Sequence, residues 1–306
     1  MTLAMATPSA VQAHVLVNPH AAGGRAEQRL PQLRQLLTSL APQASLHTAR
    51  RIDEALQLVR SWPPGSRVIL AGGDGTVHRM LPAIIERGHE MGLLPCGTGN
   101  DTARAFGVQD LDLPQALRFA LERPARPTDV GELDCAGQVT LFASSLAAGF
   151  DAAVAQRALQ APAWLRGMPR YLFAMAGELG SLRRFDIQAW VDDQPIHQGD
   201  TLFASTLNTR SYGSGMPIAP NARIDDGRLD LVLAGRFGAL GALAMMPLLL
   251  TGLHTRHPRV ALRAFSQLRL HASTALPLAA DGENLADARS LTIRVRTGAW
   301  MAVRQP

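Results

Sequence analysis

The sequence predicts an α/β domain built on a parallel sheet, followed by a second, mainly antiparallel β domain. Three observations carry that expectation. Strand-length apolar runs alternate with segments of helical period from residue 14 to about residue 106, the pattern of a parallel sheet covered by helices. Two of those runs end in glycine-rich turns, Gly72-Gly73-Asp74-Gly75-Thr76 and Gly97-Thr98-Gly99-Asn100-Asp101. From about Arg126 onward the alternation gives way to apolar runs separated by turn sequences such as Asp192-Asp193-Gln194-Pro195 and Asp225-Asp226-Gly227, as in antiparallel sheets. The expected domains are 1–126 and 127–306, and a chain of 306 residues is long enough to bury two cores.

His14 to Val17 is the first expected strand, and Asn18-Pro19 opens its turn. Ala26 to Leu40 carries leucines at helical spacing, with Pro31 placed in the first turn, where a missing N–H costs nothing. Ser45 to Thr48 is the second strand. Asp53 to Trp62 is a helix stopped by Pro63-Pro64-Gly65. Val68 to Ala71 is the third strand, Val77 to Arg87 the helix after the first glycine loop, Gly92 to Pro95 the fourth strand and Asp101 to Phe106 a short helix. In the second domain, strands are expected at Val130 to Leu133, Val139 to Ser144, Ile187 to Val191, Leu202 to Asn208, Leu229 to Ala234, Leu268 to His271, Leu276 to Ala279 and Leu291 to Val295. Helical insertions are expected at Ala152 to Leu159 and Arg170 to Leu182, and the apolar Leu240 to Leu253 reads as a core or interfacial helix, too short to span a bilayer.

Composition narrows the function classes. The net charge of +5 and sequence pI near 10.4 suit an anionic partner, a nucleotide or an acidic membrane surface. Every basic side chain outside the histidines is arginine. Without lysine, neither a P-loop nor the protein-kinase strand lysine can exist, so ATP would have to be held by another design. Cys96 and Cys135 are the only cysteines, which fits a reducing cytoplasm and no disulfide framework. Residues 1–13 show neither a basic n-region nor a long apolar run, so no signal peptide is expected. Aromatic content of 5% with no localised basic run argues against nucleic acid.

The two glycine loops have specific capacities. Glycine allows positive φ and removes the Cβ that would keep phosphate oxygens off the backbone. A helix starting just after such a loop aims free N–H groups and its positive end at an anion. Thr76 can cap that helix or bond a phosphate. Asp74 would repel phosphate unless a cation intervenes, so it is expected to hold Mg²⁺ directly, through water, or through a hydrogen-bond network. Either loop alone also reads as a tight strand-to-helix turn. Their repetition at the carboxyl ends of neighbouring strands, where open α/β sheets bind ligands, favours a phosphate site.

These residues resemble a known family. Gly72 to Thr76, then Leu94-Pro95-Cys96-Gly97-Thr98-Gly99-Asn100-Asp101 and Ala103-Arg104, are similar to the diacylglycerol kinase catalytic domain of bacterial lipid kinases, relatives of sphingosine kinases and, more distantly, NAD kinases. Val17-Asn18-Pro19, Asp129-Val130-Gly131, Phe142 to Asp151, Gly215 to Ala222 with Asp225-Asp226-Gly227, and Asp281-Gly282-Glu283 extend the resemblance across almost the whole chain. It implies a first domain like that of NAD and diacylglycerol kinases, a β-sandwich second domain, and ATP meeting a lipid alcohol in the cleft between them. It implies transfer of the γ-phosphate to a lipid hydroxyl, most simply diacylglycerol to phosphatidate, at the inner membrane face. It places the nucleotide on Asn18, Thr48, Gly72, Gly73, Asp74, Gly75, Thr76, Gly97, Thr98, Gly99 and Asn100, with Thr98 touching phosphate. Glu283 would be the general base, with Asp74 beside it in the catalytic set. Asp226, with the carbonyls of Arg223 and Arg228, would hold a structural Mg²⁺. A homodimer is compatible with the resemblance.

One departure stands out. After Gly-Gly-Asp-Gly-Thr the family has a small residue and then Asn-Glu, where this chain has Val77-His78-Arg79. Two bases in place of an amide and an acid would bias the acceptor or weaken activity. Competing expectations are a kinase for a sphingoid lipid or NAD, and a nucleotide- or lipid-binding regulator without catalysis. His47, His78 and His254 lack ligand spacing and receive no role. Arg104 is expected to cover its helix or reach phosphate. The stretch Ala163 to Arg170 mixes Trp, Leu and Met with arginines, as an interfacial lip or a surface turn would.

Overall fold

The structure is a computed structural model and describes residues 12–97, 99–162, 164–165 and 168–306. The first half follows the expected alternation: β1 (Ala13–Val17), α1 (Arg25–Gln28), α2 (Leu30–Leu40), β2 (Ser45–Thr48), α3 (Ile52–Ser61), β3 (Arg67–Gly72), α4 (Asp74–Glu86), β4 (Glu90–Pro95), α5 (Asp101–Ala105) and α6 (Leu113–Glu122). The strands lie parallel in the order β2-β1-β3-β4. On β3, Val68 and Leu70 face Val59, Leu81 and Ile84 from α3 and α4. Ile69 and Ala71 face Leu33, Leu37 and Leu117 from α2 and α6. Both faces of the sheet are thus covered, and the carboxyl edge is where such a sheet receives a ligand.

Three details differ from the sequence expectation. The segment 26–40 is two helices, because Pro31 sits in the first turn of α2 and starts a new helix after Arg29. Helix α4 begins at Asp74, three residues before Val77. Helix α6 was not anticipated, although Asp112 accepts the Gln115 N–H at 2.8 Å and Gln115 returns a bond to the Asp112 N–H at 3.3 Å, a capping box that Asp112-Leu113-Pro114-Gln115 spells out.

The second half contains β5 (Ala125–Cys135), β6 (Gln138–Phe142), β7 (Ser145–Ala148), α7 (Phe150–Leu159), α8 (Met168–Leu179), β8 (Phe185–Val191), β9 (Gln194–Thr201), β10 (Phe203–Leu207), β11 (Leu229–Ala234), α9 (Ala239–Thr251), β12 (Val260–Phe265), β13 (Gln267–Ala280) and β14 (Glu283–Val303). Apart from one parallel contact of β14, these strands pair antiparallel, and Phe142, Leu146, Ile187, Leu231, Phe265, Leu278 and Ile293 close a common core. Strand β9 is not evident in the sequence because it is largely exposed and mixes polar with apolar residues; β12 is a short, half-buried run interrupted by Arg263. Strand β14 runs 21 residues where only Leu291 to Val295 was expected; its polar half is an exposed face of the ladder. Its far end pairs parallel to β4, Met301 with Glu90 and Ala302 with Met91, while Ala125 to Asp134 of β5 pair along its other edge. The expected boundary at 126/127 falls within β5. Among the described residues no helix is long and apolar enough to cross a membrane.

Candidate functional site

The two glycine loops touch. A Cβ built on Gly73 would lie 2.8 Å from the Gly97 Cα, and one on Gly99 would lie 3.0 Å from Asp74 Oδ2. Gly72, Gly73, Gly75 and Gly97 all have φ outside the left-handed region. Close approach, not positive φ, is therefore what these glycines supply. With Gly73 as an extended N-cap that brings no side-chain bond, the N–H groups of Asp74 and Gly75 have no partner within α4, and both residues line the opening. Thr76 does not cap the helix: its hydroxyl accepts from Asn18 Nδ2 at 3.0 Å, tying the turn after β1 to the first loop.

A cleft of about 490 Å³ opens there. Its walls include Asn18, Gly73, Asp74, Gly75, Thr76, Gly97 and Gly99 on one side and Ser144, Ser145, Asp281 and Glu283 on the other. Gly72, Asn100 and the exposed Thr48 lie outside the lining. Asn100, in the left-handed region, turns inward to donate to the Gly97 carbonyl at 3.0 Å, and its Oδ1 is buried without a partner. Thr98 lies outside the described residues. Arg223, Asp226 and Arg228 are exposed and do not line the cleft; Asp226 Oδ1 accepts the Arg228 N–H at 3.0 Å.

Glu283 reaches the loops through a hairpin. Asp281 and Gly282 are the central residues of the β13–β14 turn, with φ of 48° and 84°, and Ala280 pairs with Glu283 across it. Two positive φ angles make this a primed turn, for which Asp-Gly is a favoured pair. The turn delivers Glu283 over α4, where a Cβ on Gly75 would meet Glu283 Oε1 at 2.6 Å.

Buried acids dominate the floor. Asp74 accepts the N–H groups of Asp101 (3.1 Å) and Thr102 (2.9 Å) at the start of α5. Burial pushes its carboxyl up, those N–H donors oppose the shift, and the Asp281 charge adds to it. Asp101 is pushed up to about 6 by burial and then by the Asp74 charge. It receives the N–H groups of Ser214 and Gly215, both at 3.0 Å, the Ser211 hydroxyl at 2.9 Å and Arg104 at 2.8 Å. Arg104 thus holds this acid. Asp281 accepts three consecutive N–H groups, from Ala143, Ser144 and Ser145, at 2.7–3.0 Å.

The sequence reading gave His78 no role, and the structure assigns it one. His78 donates from Nδ1 to Asp281 Oδ2 at 3.0 Å, and its neighbour Arg79 binds Glu283 Oε2 at 2.5 Å. Burial works against the imidazolium, but the Asp281 hydrogen bond and charge outweigh it and raise the His78 pKa. Burial likewise acts to raise Asp281, and His78 with the main-chain donors holds it below the ordinary carboxylate range. The two departures from the family pattern therefore form a matched latch from α4 onto the hairpin. The signal available in the sequence was the pairing of two added bases with two acids. Also unanticipated, Asp151 accepts the Ser205 hydroxyl behind the cleft wall and lies 3.5 Å from the Tyr212 hydroxyl; burial pushes it up to about 7.

The loop contact has a direct consequence. Gly73→Ala should separate the loops and weaken nucleotide binding by about tenfold or more, roughly 1.4 kcal/mol, while the protein still melts cooperatively. Titration calorimetry showing wild-type affinity would remove the contact from the binding site.

Comparison with known proteins follows the two halves. A family profile described as the diacylglycerol kinase catalytic domain matches residues 12–133, and one described as the YegS C-terminal NAD kinase beta sandwich-like domain matches residues 144–302. A protein named diacylglycerol kinase from Mycobacterium tuberculosis (strain ATCC 25618 / H37Rv) is 34% identical over 188 residues, 61% of this chain and 60% of that protein. The match therefore spans less than two thirds of that relative's length. A diacylglycerol kinase from Bacillus anthracis str. Sterne superposes with a TM-score of 0.75 at 19% identity, covering 96% of this chain and 97% of the other. An NAD kinase from Archaeoglobus fulgidus in complex with ATP gives 0.53 at 13% identity over 95% and 92%. At these identities the structural likeness is one of fold.

Proposed function

The chain belongs to the diacylglycerol kinase catalytic-domain family, and on that premise we propose that it is an ATP-dependent lipid kinase that transfers the γ-phosphate to a lipid hydroxyl, with diacylglycerol as acceptor and phosphatidate as product. The observation that carries the reading is the contact of two glycine loops on one wall of a cleft whose other wall presents Glu283. The N–H groups of Asp74 and Gly75 and the Asn18 side chain would hold the triphosphate, in the manner of a helix N-terminus on an anion. Ala147, Ala155, Ala158, Leu159 and Tyr171 make the wall beyond Ser145 more apolar, which suits the acyl-bearing acceptor. Glu283 would take the proton from the acceptor hydroxyl as it attacks the γ-phosphorus. Its carboxylate lies close over Gly75 of the first loop, which supports that role.

Mg²⁺ fits the residues present. Asp74, Asp101 and Asp281 place three acids at the cleft floor, while each is tied to main-chain N–H groups. Among the described residues no trio of His, Cys, Asp or Glu is spaced to cage an ion alone, so Asp74 would share the ion with phosphate oxygens. There Mg²⁺ would supply neutralisation of charge on the transferring group. For a structural Mg²⁺ on Asp226 and the carbonyls of Arg223 and Arg228, the side-chain ligand would be the exposed Asp226 carboxylate, whose Oδ1 accepts the Arg228 N–H at 3.0 Å. Adding Mg²⁺ to chelator-treated protein is expected to raise the melting temperature of wild type and not of Asp226→Ala. Equal shifts in both would place the ion elsewhere.

The transfer itself is tested by incubating the chain with labelled ATP and Mg²⁺ in separate reactions with diacylglycerol vesicles, a sphingoid base or NAD, and resolving the products of each. Labelled phosphatidate is expected; label in NAD or a sphingoid base would redirect the acceptor, and ATP binding without transfer would favour a regulator. That last alternative has one observation behind it: Arg79 occupies Glu283 Oε2 and competes with the hydroxyl for the carboxylate.

A further inference from the structure

The solvent side of α9 carries no charged group. Leu240, Leu243, Ala244, Pro247 and Leu250 are exposed along one helical stripe, Leu240 by 84%. The inner side, Ala242 and Met245, packs into a core shared with Ala174 of α8. Helix α8 repeats the arrangement, with Leu172 and Phe173 outward, Leu159 at the end of α7 beside it, and Trp164 on the intervening turn 77% exposed. Eight of the ten large apolar side chains exposed among the described residues lie on α7–α9 and the turns beside them, which makes a patch rather than a scatter.

Charge is arranged to match. Residues 152–177 and 231–280 contain no Asp or Glu. The second stretch carries Arg236, Arg256, Arg259, Arg263 and Arg269, a positive charge equal to the formal +5 of the whole chain. Arg236 and Arg256 are exposed and bracket α9. Leucines that can enter the acyl boundary, flanked by guanidinium groups that meet phosphates, are the features of a helix lying in the headgroup region. At 13 residues α9 is about 20 Å long, which fits lying along a bilayer and not crossing it. Arg236 has Asp200 at 3.8 Å and Arg269 has Asp193 at 2.8 Å, but Arg256, Arg259 and Arg263 have no acid beside them among the described residues, an excess that a partner protein's apolar face would leave unanswered.

We propose that α9, together with Trp164 and the outer face of α8, docks this chain on a bilayer that contains anionic phospholipid, with α9 parallel to the membrane plane. The inference rests on the lipid-kinase reading for its purpose, since Arg170 and Tyr171 of the same α8 line the cleft and an acceptor headgroup would enter from that rim.

The test is flotation of the full chain, without ATP, on vesicles of phosphatidylcholine alone and of phosphatidylcholine with about a third phosphatidylglycerol. Binding to the anionic vesicles is expected, with a blue shift of Trp164 emission. The double variant Leu243→Asp/Leu250→Asp should bind at least about tenfold more weakly, with an unchanged thermal melt. Arg236→Gln/Arg256→Gln should lose several-fold on anionic vesicles only. The proposal is overturned if wild type ignores anionic vesicles, if the aspartate variant binds them like wild type, or if wild type is a dimer that the aspartate variant makes monomeric, which would assign the stripe to a second copy. Vesicle binding without any phosphoryl transfer leaves docking intact and removes the kinase reading; transfer to a short-chain soluble acceptor without vesicle binding does the reverse.

Discussion

Glu283→Gln is expected to lower turnover about 10²–10⁴-fold, the usual contribution of a positioned general base, while ATP affinity stays at the wild-type level. The amide keeps the shape of the side chain and its place over Gly75 but cannot accept the hydroxyl proton. The ion pair with Arg79 supplies the control. At 2.5 Å, with Arg79 46% and Glu283 33% exposed, it is a surface pair worth at most about 1 kcal/mol. If Glu283 served only that pair, Arg79→Ala and Glu283→Gln would behave alike. As the base, it makes the two diverge: Arg79→Ala should keep turnover within about tenfold of wild type, or raise it by freeing the carboxylate. Single-turnover measurements on both variants decide. Equal losses would end the assignment of the base.

The second large effect is on stability. Asp281→Asn is expected to cost about 3–5 kcal/mol in urea unfolding, the range for breaking one side of a buried charged network. The side chain is 1% exposed, and the amide would turn an NH₂ towards the main-chain donors of Ala143, Ser144 and Ser145 while leaving His78 without its counter-charge. The pH dependence has two limbs. Asp281 is held below its ordinary 3.8, so its contribution is present above that value and is lost as pH falls through the depressed folded pKa. His78 is raised above 6.5, so its contribution is complete below 6.5 and is lost as pH rises through the raised folded pKa. The latch is therefore strongest between those limits. His78→Ala should remove the alkaline limb and shrink the acid one, because His78 does more than the main-chain donors to hold Asp281 down. A wild-type stability curve that stays flat as pH rises past the histidine range would contradict the pairing.

How much the sequence disclosed depended on burial. Strands β1, β3 and β4 are buried along nearly their whole length, so their apolar runs were plain. Strand β14 is buried only at alternating or terminal positions, and its polar stretches concealed most of its length. The Gly-rich loops were legible as strand-end turns, but the reason for their glycines was not: a contact between Gly73 and Gly97 is a tertiary fact that no local pattern contains. Asp281 illustrates the same limit. Asp-Gly-Glu announced a turn, whereas the three donors that Asp281 collects come from a segment more than 130 residues earlier. His78 was unreadable alone because a lone histidine has no spacing to betray a partner 203 positions away.

The long strand β14 has one further consequence. Its first residue is Glu283 and its far end is bonded edge to edge with β4, while β5 runs along its other margin. Both walls of the cleft therefore hang from one uninterrupted ribbon. The halves are joined by backbone hydrogen bonds and not by a slack linker, although the β14–β5 ladder is interrupted by a register shift between Arg296 and Trp300. Any movement of one wall against the other would have to bend that ladder, and the register shift is where it is least bonded.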